Sequence, residues 1–334
     1  DFTFPFGTGD SQAHGTFHVA KKPTAKARKA ETETTLWYES FCHNRDFLIA
    51  SHEIQSVATP PPAPLITSTL QRVGARSLHF SLQKTMGIAQ KLYENGKITY
   101  MRTDSPTVSP DFQRRLQSHI QSTYSPDVYQ PARSSKSKGA QEAHECIRVT
   151  DLQGSLDAKG FTKDDRLLYA CILRHTIISH MRPALYDVLH LTLQTPESEE
   201  WGAFHVTQRY LTSPGFLFYD GDPAVDAVPT FPAEMRFHLQ TAKTSYEDTR
   251  PPSSYDDSAI VKLLETSGIG RPSTYASLVQ TLDTRTYTER TQESPEPYDI
   301  RTFTLESTGA LSHGKETKTS EPHTRIRVTP LGSQ

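Results

Sequence analysis

The chain has 334 residues, 35% of them hydrophobic, with a formal net charge of -2 and three cysteines. That length suits two or three domains, and a mean hydropathy of -0.58 without a long apolar run excludes a membrane-spanning helix. The charge gives no global argument for a polyanionic partner, and Cys42, Cys146 and Cys171 stand too far apart for a zinc ribbon or a disulfide framework.

Residues 1–58 read as short strands with polar connections, for example Thr34–Tyr38 and Phe47–Ala50. A basic run, Lys21, Lys22, Lys26, Arg28 and Lys29, reads as a solvated face. Thr59-Pro60-Pro61-Pro62-Ala63-Pro64 is a stiff, non-helical connector and marks a boundary. A helix follows, with Leu82, Met86, Ala89, Gln90, Leu92 and Tyr93 mostly at i, i+3, i+4 spacing, and it stops at Asn95-Gly96. Next comes Ile98-Thr99-Tyr100-Met101-Arg102-Thr103-Asp104-Ser105. In an extended segment Tyr100, Arg102 and Asp104 share one face, because successive side chains alternate. A tyrosine hydroxyl beside a fixed cation can attack a phosphodiester while the arginine fork holds phosphate oxygens. A bare Y-x-R-x-D is equally compatible with a surface ion pair, and Asp104 with a loop cap.

Ser109-Pro110-Asp111 opens another helix: serine caps, proline takes the first position and aspartate complements the dipole. Phe112, Leu116 and Ile120 supply its buried stripe. Arg133, Lys136 and Lys138 form a second basic run, readable as a solvated loop or as a phosphate contact. His144 then sits between Glu142 and Glu145, where it can bind phosphate as a cation or relay a proton when neutral. Lys163–Met181 reads as a strong helix with Leu167, Leu168, Cys171, Ile172, His175 and Ile178 facing a core, and His175 as a satisfied core histidine. From Ala184 to Gln240 the pattern turns to strands: Tyr186–Leu193, Phe204–Val206 and Phe216–Tyr219. Helices at Asp256–Thr266 and Pro272–Leu282 flank Gly268-Ile269-Gly270. Arg271-Pro272-Ser273-Thr274-Tyr275 opens the second, where free backbone N–H groups favour a phosphate and Arg271 and Thr274 add donors. Ordinary N-capping beside an exposed arginine is the plainer account, and Tyr275 can stack on a base or simply pack. Gln292–Gln334, rich in Thr, Ser and Glu, reads as weak strands and loops.

Several of these segments, in order, carry a family resemblance. Pro61-Pro62-Ala63-Pro64-Leu65-Ile66-Thr67-Ser68-Thr69-Leu70-Gln71, Lys84–Glu94, Tyr100-Met101-Arg102-Thr103-Asp104-Ser105, Gln141-Glu142-Ala143-His144-Glu145-Cys146-Ile147-Arg148 and Gly268–Ser277 resemble the signature segments of type IA DNA topoisomerases. Methionine after the tyrosine resembles the bacterial topoisomerase I branch. The resemblance implies a mixed α and β, multidomain fold, part of the family's toroid. Residues 1–61 are then the first segment of a β-rich arch, 62–183 a helical domain bearing the tyrosine, 184–249 the second arch segment, and 250–334 part of a helical base. It also implies Tyr100 as nucleophile, Arg102 as phosphate clamp, His144 in the cleavage site, and Asp104 as orienting partner of Arg102 or Tyr100. Arg102, Arg148, Arg271, Ser273, Thr274 and Arg285 are the implied DNA contacts. Cys146, Val149 and Thr286 depart from the alanine, proline and glycine common at those places.

The implied activity is that of an ATP-independent isomerase that cleaves one DNA strand through a 5′-phosphotyrosyl bond, passes another and reseals, relaxing negative supercoils. The implied partner is DNA, preferentially single-stranded, with no membrane, a monomeric state and, in a bacterium, a cytoplasmic, nucleoid-associated location. The family's acidic metal-binding domain and its leaving-group glutamate have no counterpart in this sequence. Magnesium is therefore expected outside this chain, with no metal ligand assigned within it, and the chain reads as an internal part of a longer enzyme, able to bind single-stranded DNA but poor at cleaving it alone. The rival reading is a non-catalytic DNA-binding or structural remnant; a tyrosine phosphodiesterase finds no metal-ligand cluster to support it.

Overall fold

The structure, a computed structural model, describes residues 3–6, 13–19, 46–132, 144–156, 160–195, 204–232, 235–238, 242–246, 253–293, 296–305, 308, 310–319 and 323–333. The expected strand at Thr34–Tyr38, both basic runs, Cys42 and Glu142 lie outside the described residues.

Strands β1 (Thr3–Phe6), β2 (Ala13–Val19), β3 (Asp46–Thr59), β4 (Ala184–Gln194), β5 (Phe204–Ser213) and β6 (Arg236–His238) form one antiparallel sheet in the order β1-β2-β5-β4-β3-β6. The period-2 pattern of β4 explains its central place: Leu189, Leu191 and Leu193 are buried on one face, while His190 and Thr192 on the other are half-buried. The pairing of β3 with β4 runs to Thr59↔Ala184. The chain thus leaves the sheet at the proline connector and returns beside its point of departure, so residues 60–183 are an insertion between two paired neighbours.

Four helices build that insertion: α1 (Thr67–Ser77), α2 (Leu82–Glu94), α3 (Pro110–Thr123) and α4 (Lys163–Ile178). Helix α2 starts where the Ser81 hydroxyl accepts from the Lys84 N–H and ends where the Lys97 N–H donates to Leu92 O at 2.9 Å. It buries Leu82, Thr85, Ile88, Ala89 and Leu92; Tyr93 is 41% exposed, not part of that stripe. Phe112, Leu116 and Ile120 of α3 are all buried, as their spacing predicts. Helix α4 opens with a reciprocal cap, the Asp165 N–H to the Thr162 hydroxyl at 3.2 Å and the Thr162 N–H to Asp165 Oδ2 at 2.7 Å. Its buried seam is the i+4 row Leu168, Ile172 and Thr176 with Tyr169 and Ile177; Leu167, expected inside, is 39% exposed. His175 Nδ1 lies 3.0 Å from Cys171 O, and burial lowers its pKa, as suits a packed histidine.

One expected strand is absent. Phe216–Tyr219 is the centre of a 3-10 helix, Gly215–Asp220, not a strand. Gly215 has φ +53, and a Cβ there would lie 2.2 Å from Pro183 O, so the chain turns tightly at a point that only glycine fits. The aromatic run then packs on the helical core, with Tyr219 stacked against Tyr124 and Asp220 paired with Arg174 of α4.

The remaining part carries α5 (Asp257–Thr266) and α6 (Tyr275–Thr284), with strands β7 (Ala242–Tyr246), β8 (Thr288–Glu293), β9 (Tyr298–Leu305), β10 (Leu311–Lys318) and β11 (His323–Val328). Asp256 caps α5, accepting from the Ala259 N–H at 2.7 Å. Strands pair as β10-β9-β7 and β11-β8, so β7, placed by sequence in the second arch segment, joins a sheet with the tail. Helices α1 and α2 pack on α5 and α6, with Leu82, Val261 and Val279 as the shared apolar contact. No helix among the described residues is long and apolar enough to cross a membrane.

Candidate active-site cleft

The segment after α2 is not a regular strand, yet its side chains alternate as expected. Met101, Thr103 and Ser105 are buried, Arg102 is exposed, and Tyr100 and Asp104 are half-buried. Two threonines hold it. The Thr67 hydroxyl donates to Met101 O at 2.7 Å, with Thr103 O at 3.0 Å, and accepts from the Thr103 N–H at 2.9 Å. On the other side the Thr99 hydroxyl donates to Cys146 O at 2.6 Å and accepts from the Arg148 N–H at 2.9 Å, which ties the His144 loop to the tyrosine segment. Neither threonine emerges as a site residue from sequence. The only signal was their membership of the motifs around Ile66 and Tyr100.

Tyr100 stands between two rings. Its centroid is 5.5 Å from that of His144 and 5.3 Å from that of Tyr93, the latter edge-on. Across from them lies the turn before α6. Together Tyr100, Arg102, Thr103, Asp104, His144, Arg271, Pro272 and Ser273 line a cleft of about 430 Å³. Residues far apart in sequence thus meet as two walls, one bearing a phenol, an imidazole and a guanidinium, the other a guanidinium and a hydroxyl. Such a set can grip a phosphate from both sides and present a nucleophile to it.

Gly270, with φ +82 and a would-be Cβ 2.8 Å from Leu278 Cδ1, turns the chain into the second wall. Helix α6 begins at Tyr275, three positions later than the expected Pro272, because residues 272–274 form a turn. That turn consumes donors expected to be free. The Thr274 and Tyr275 N–H groups both donate to Arg271 O, and the Thr274 hydroxyl accepts from the Arg271 N–H at 2.8 Å. Arg271 and Ser273 face the cleft; Thr274 is a turn residue. Tyr275 is 7% exposed and therefore packs. Burial raises the pKa of its phenol, the charges of Glu265 and Asp104 add to this, and Arg271 opposes it.

Two arginines assigned to DNA do not reach the cleft. Arg148 is 9% exposed: its Nε donates to Glu145 Oε2 at 2.6 Å, its Nη1 to Val149 O at 3.1 Å, and its guanidinium lies 3.8 Å from the Phe112 ring centre. Burial pushes the Glu145 carboxyl up, but the Arg148 hydrogen bond and charge, with Ser109, hold it below the usual range. Arg148 therefore braces the His144 loop from inside. Arg285 is exposed at the far end of α6, about 15 Å from Arg271's end at 1.5 Å rise per residue. Asp104 makes no hydrogen bond or ion pair to Arg102 or Tyr100 among the described residues; its charge bears instead on Tyr275. Cys146, which stands in place of alanine, is buried, and burial pushes its thiol up to about 12, so it offers no competing nucleophile.

The family model described as DNA topoisomerase matches residues 8–301. The chain belongs to this DNA topoisomerase family. Its relatives place it in the bacterial type IA branch. It is 36% identical over 262 residues to DNA topoisomerase 1 of Mycobacterium tuberculosis, covering 72% of this chain and 28% of the relative. It is 34% identical over 274 residues to DNA topoisomerase 1 of Campylobacter jejuni, covering 78% of this chain and 38% of the relative. The solved structure of full-length topoisomerase I from Thermotoga maritima superposes with a TM-score of 0.65 at 25% identity, over 84% of this chain and 47% of that one. The mixed α and β architecture expected from the resemblance is thus the architecture of the topoisomerase I fold. The chain spans well under half the length of these curated relatives.

Proposed function

We propose that the cleft is the strand-cleavage site of a type IA DNA topoisomerase. The observation that carries this reading is the meeting of Tyr100, Arg102 and His144 with Arg271 and Ser273 around one cleft, roomy enough for a phosphodiester. Arg102 and Arg271 neutralise the phosphate oxygens from opposite walls. The Tyr100 oxygen attacks phosphorus, forming an O–P bond to the 5′ side as the bond to the 3′-oxygen breaks. The tyrosine proton needs an acceptor, and His144, the titratable ring packed on Tyr100, is the nearest candidate. The departing 3′-oxygen would take its proton from the glutamate that the family resemblance places on the acidic metal-binding domain. Magnesium would be held by the acidic domain that the family resemblance implies; among the described residues no three His, Cys, Asp or Glu side chains come together to hold an ion. Single-stranded DNA is the substrate that the family resemblance implies.

Fluorescence anisotropy with a labelled oligothymidylate tests the binding part. Salt-sensitive binding, weakened with a lower salt slope in R102A and R271A and kept in Y100F, is expected. The chemical part is tested by supplying a relative's acidic metal-binding domain in trans with magnesium. A covalent adduct releasing a 5′-phosphotyrosine, absent in Y100F, is expected. Binding that ignores salt and both arginines would sink the reading; binding without any adduct in trans would favour a non-catalytic remnant.

A further inference from the structure

The two walls of the cleft are carried by helix pairs, α1 with α2 and α5 with α6, that pack on one another along a seam. Its apolar part is Leu82 against Val261 and Val279, with Ile260, Leu264 and Ala276 packed beside them. Two side-chain hydrogen bonds cross it: the Ser68 hydroxyl donates to Glu265 Oε1 at 2.6 Å, and Gln83 Nε2 donates to Ala276 O at 3.2 Å. Ser68 is 2% exposed and adjoins Thr67, the residue that clamps the Met101 and Thr103 carbonyls. Glu265 lies in the last turn of α5, directly before the glycine loop that presents Arg271. Gln71 and Ser258, on the same facing helices, are buried with unpaired side-chain polar atoms, so the seam has few polar ties to spare.

We propose that Ser68 and Glu265 form a positioning pair whose hydrogen bond sets the spacing at which Arg102 and Arg271 face each other, so that one phosphate is gripped from both walls. This rests on reading the cleft as a DNA site. Without the tie, α5 and α6 are free to ride away from α1, and a fork on each side no longer converges on the same anion. Glu265 acts through Arg271 and touches no substrate.

The test is anisotropy with a labelled oligothymidylate over a salt series, on S68A, E265A, the double variant, E265Q and the same changes in an R271A background. Thermal midpoints of all variants are read alongside. S68A and E265A are expected to weaken binding about three- to tenfold, the scale of one hydrogen bond, and to lower the salt slope by about 0.7, one phosphate contact. The double variant should be no weaker than the worse single, because both remove the same bond. E265Q, whose amide oxygen still accepts from Ser68, should bind like the parent, a rescue that a purely electrostatic role would not give. In R271A none of the changes should matter further. Additive losses, an E265Q loss equal to that of E265A, or losses that persist in R271A would each overturn the proposal. Should E265A fold poorly, S68A and E265Q decide by the same criteria. If R102A and R271A themselves leave binding intact, the DNA reading fails rather than the positioning pair.

Discussion

Arg102 and Arg148 are both implied DNA contacts by sequence, and the structure separates them sharply enough to measure. Arg148→Met keeps the apolar stem over Phe112 but removes the guanidinium. The charge-assisted bond to Glu145 is worth about 1.5–3 kcal/mol and the cation–π contact about 1–2. Breaking a fully buried pair costs about 3–5 kcal/mol. The Glu145 side chain is 31% exposed and can partly rehydrate, so a net loss of about 3 kcal/mol is expected. With an m-value of about 2 kcal/mol/M in urea, the unfolding midpoint should fall by about 1.5 M. Without urea, where the variant stays folded, the salt slope of oligonucleotide binding should not change, since Arg148 is buried outside the cleft. Arg102→Ala should do the reverse: this exposed side chain has no ion pair among the described residues, so stability stays within about 0.5 kcal/mol while the slope falls by about 0.7. The paired assays are urea unfolding followed by circular dichroism and anisotropy over a salt series. An R148M variant with an unchanged midpoint and a reduced slope would refute the assignment of Arg148 to the loop's interior.

Other outcomes follow from single features. Leu116, fully buried in α3, should cost about 2–5 kcal/mol when cut to alanine, read as a urea midpoint shift; a cost below 1 would mean the helical core is loosely packed. Thr286 holds φ +54, a left-handed conformation that a β-branched residue adopts only under strain, so Thr286→Gly should stabilise the chain by up to about 1 kcal/mol once glycine's entropy is deducted. A destabilised T286G would show that the Thr286 side chain contributes more than its backbone strain removes. Burial depresses the folded-state pKa of His175 and His180 below 6.5, the hydrogen bonds to Cys171 and Thr176 carbonyls opposing only in part. The unfolded chain then binds more protons than the folded one as pH falls through 6.5, so this stability is fully present above that pH and lost progressively below it. His180→Gln, which keeps a donor for Thr176 O without a charge to bury, should flatten the fall in urea midpoint between about pH 7.5 and 5.5; an unchanged slope would place the titration elsewhere.

Much of the chain was legible as a sequence because it depends on local periodicity. The stripe of Phe112, Leu116 and Ile120, the helix placed at Asp256–Thr266 and the alternation of Tyr100, Arg102 and Asp104 follow repeats of 3.6 or 2 that any burying surface must respect. What failed was every judgement that depended on a distant neighbour. Phe216–Tyr219 has strand composition, but Gly215 turns it tightly against Pro183 into a 3-10 helix. Leu167 and Leu168 are alike in hydropathy, and only the placement of α4 against the core decides which one meets solvent.

The candidate site divides in the same way. Sequence alone supplied a candidate nucleophile, a candidate phosphate clamp and the family in which they occur. Tertiary structure decided which cations are available to an anion. An arginine carries the same charge everywhere, but a guanidinium already stacked on Phe112 and bonded to Glu145 has exchanged its hydration for protein partners, whereas Arg102 and Arg271 remain exposed. Their convergence on one cleft depends on the seam between α1 and α5–α6, and no local pattern in the chain encodes a distance across it.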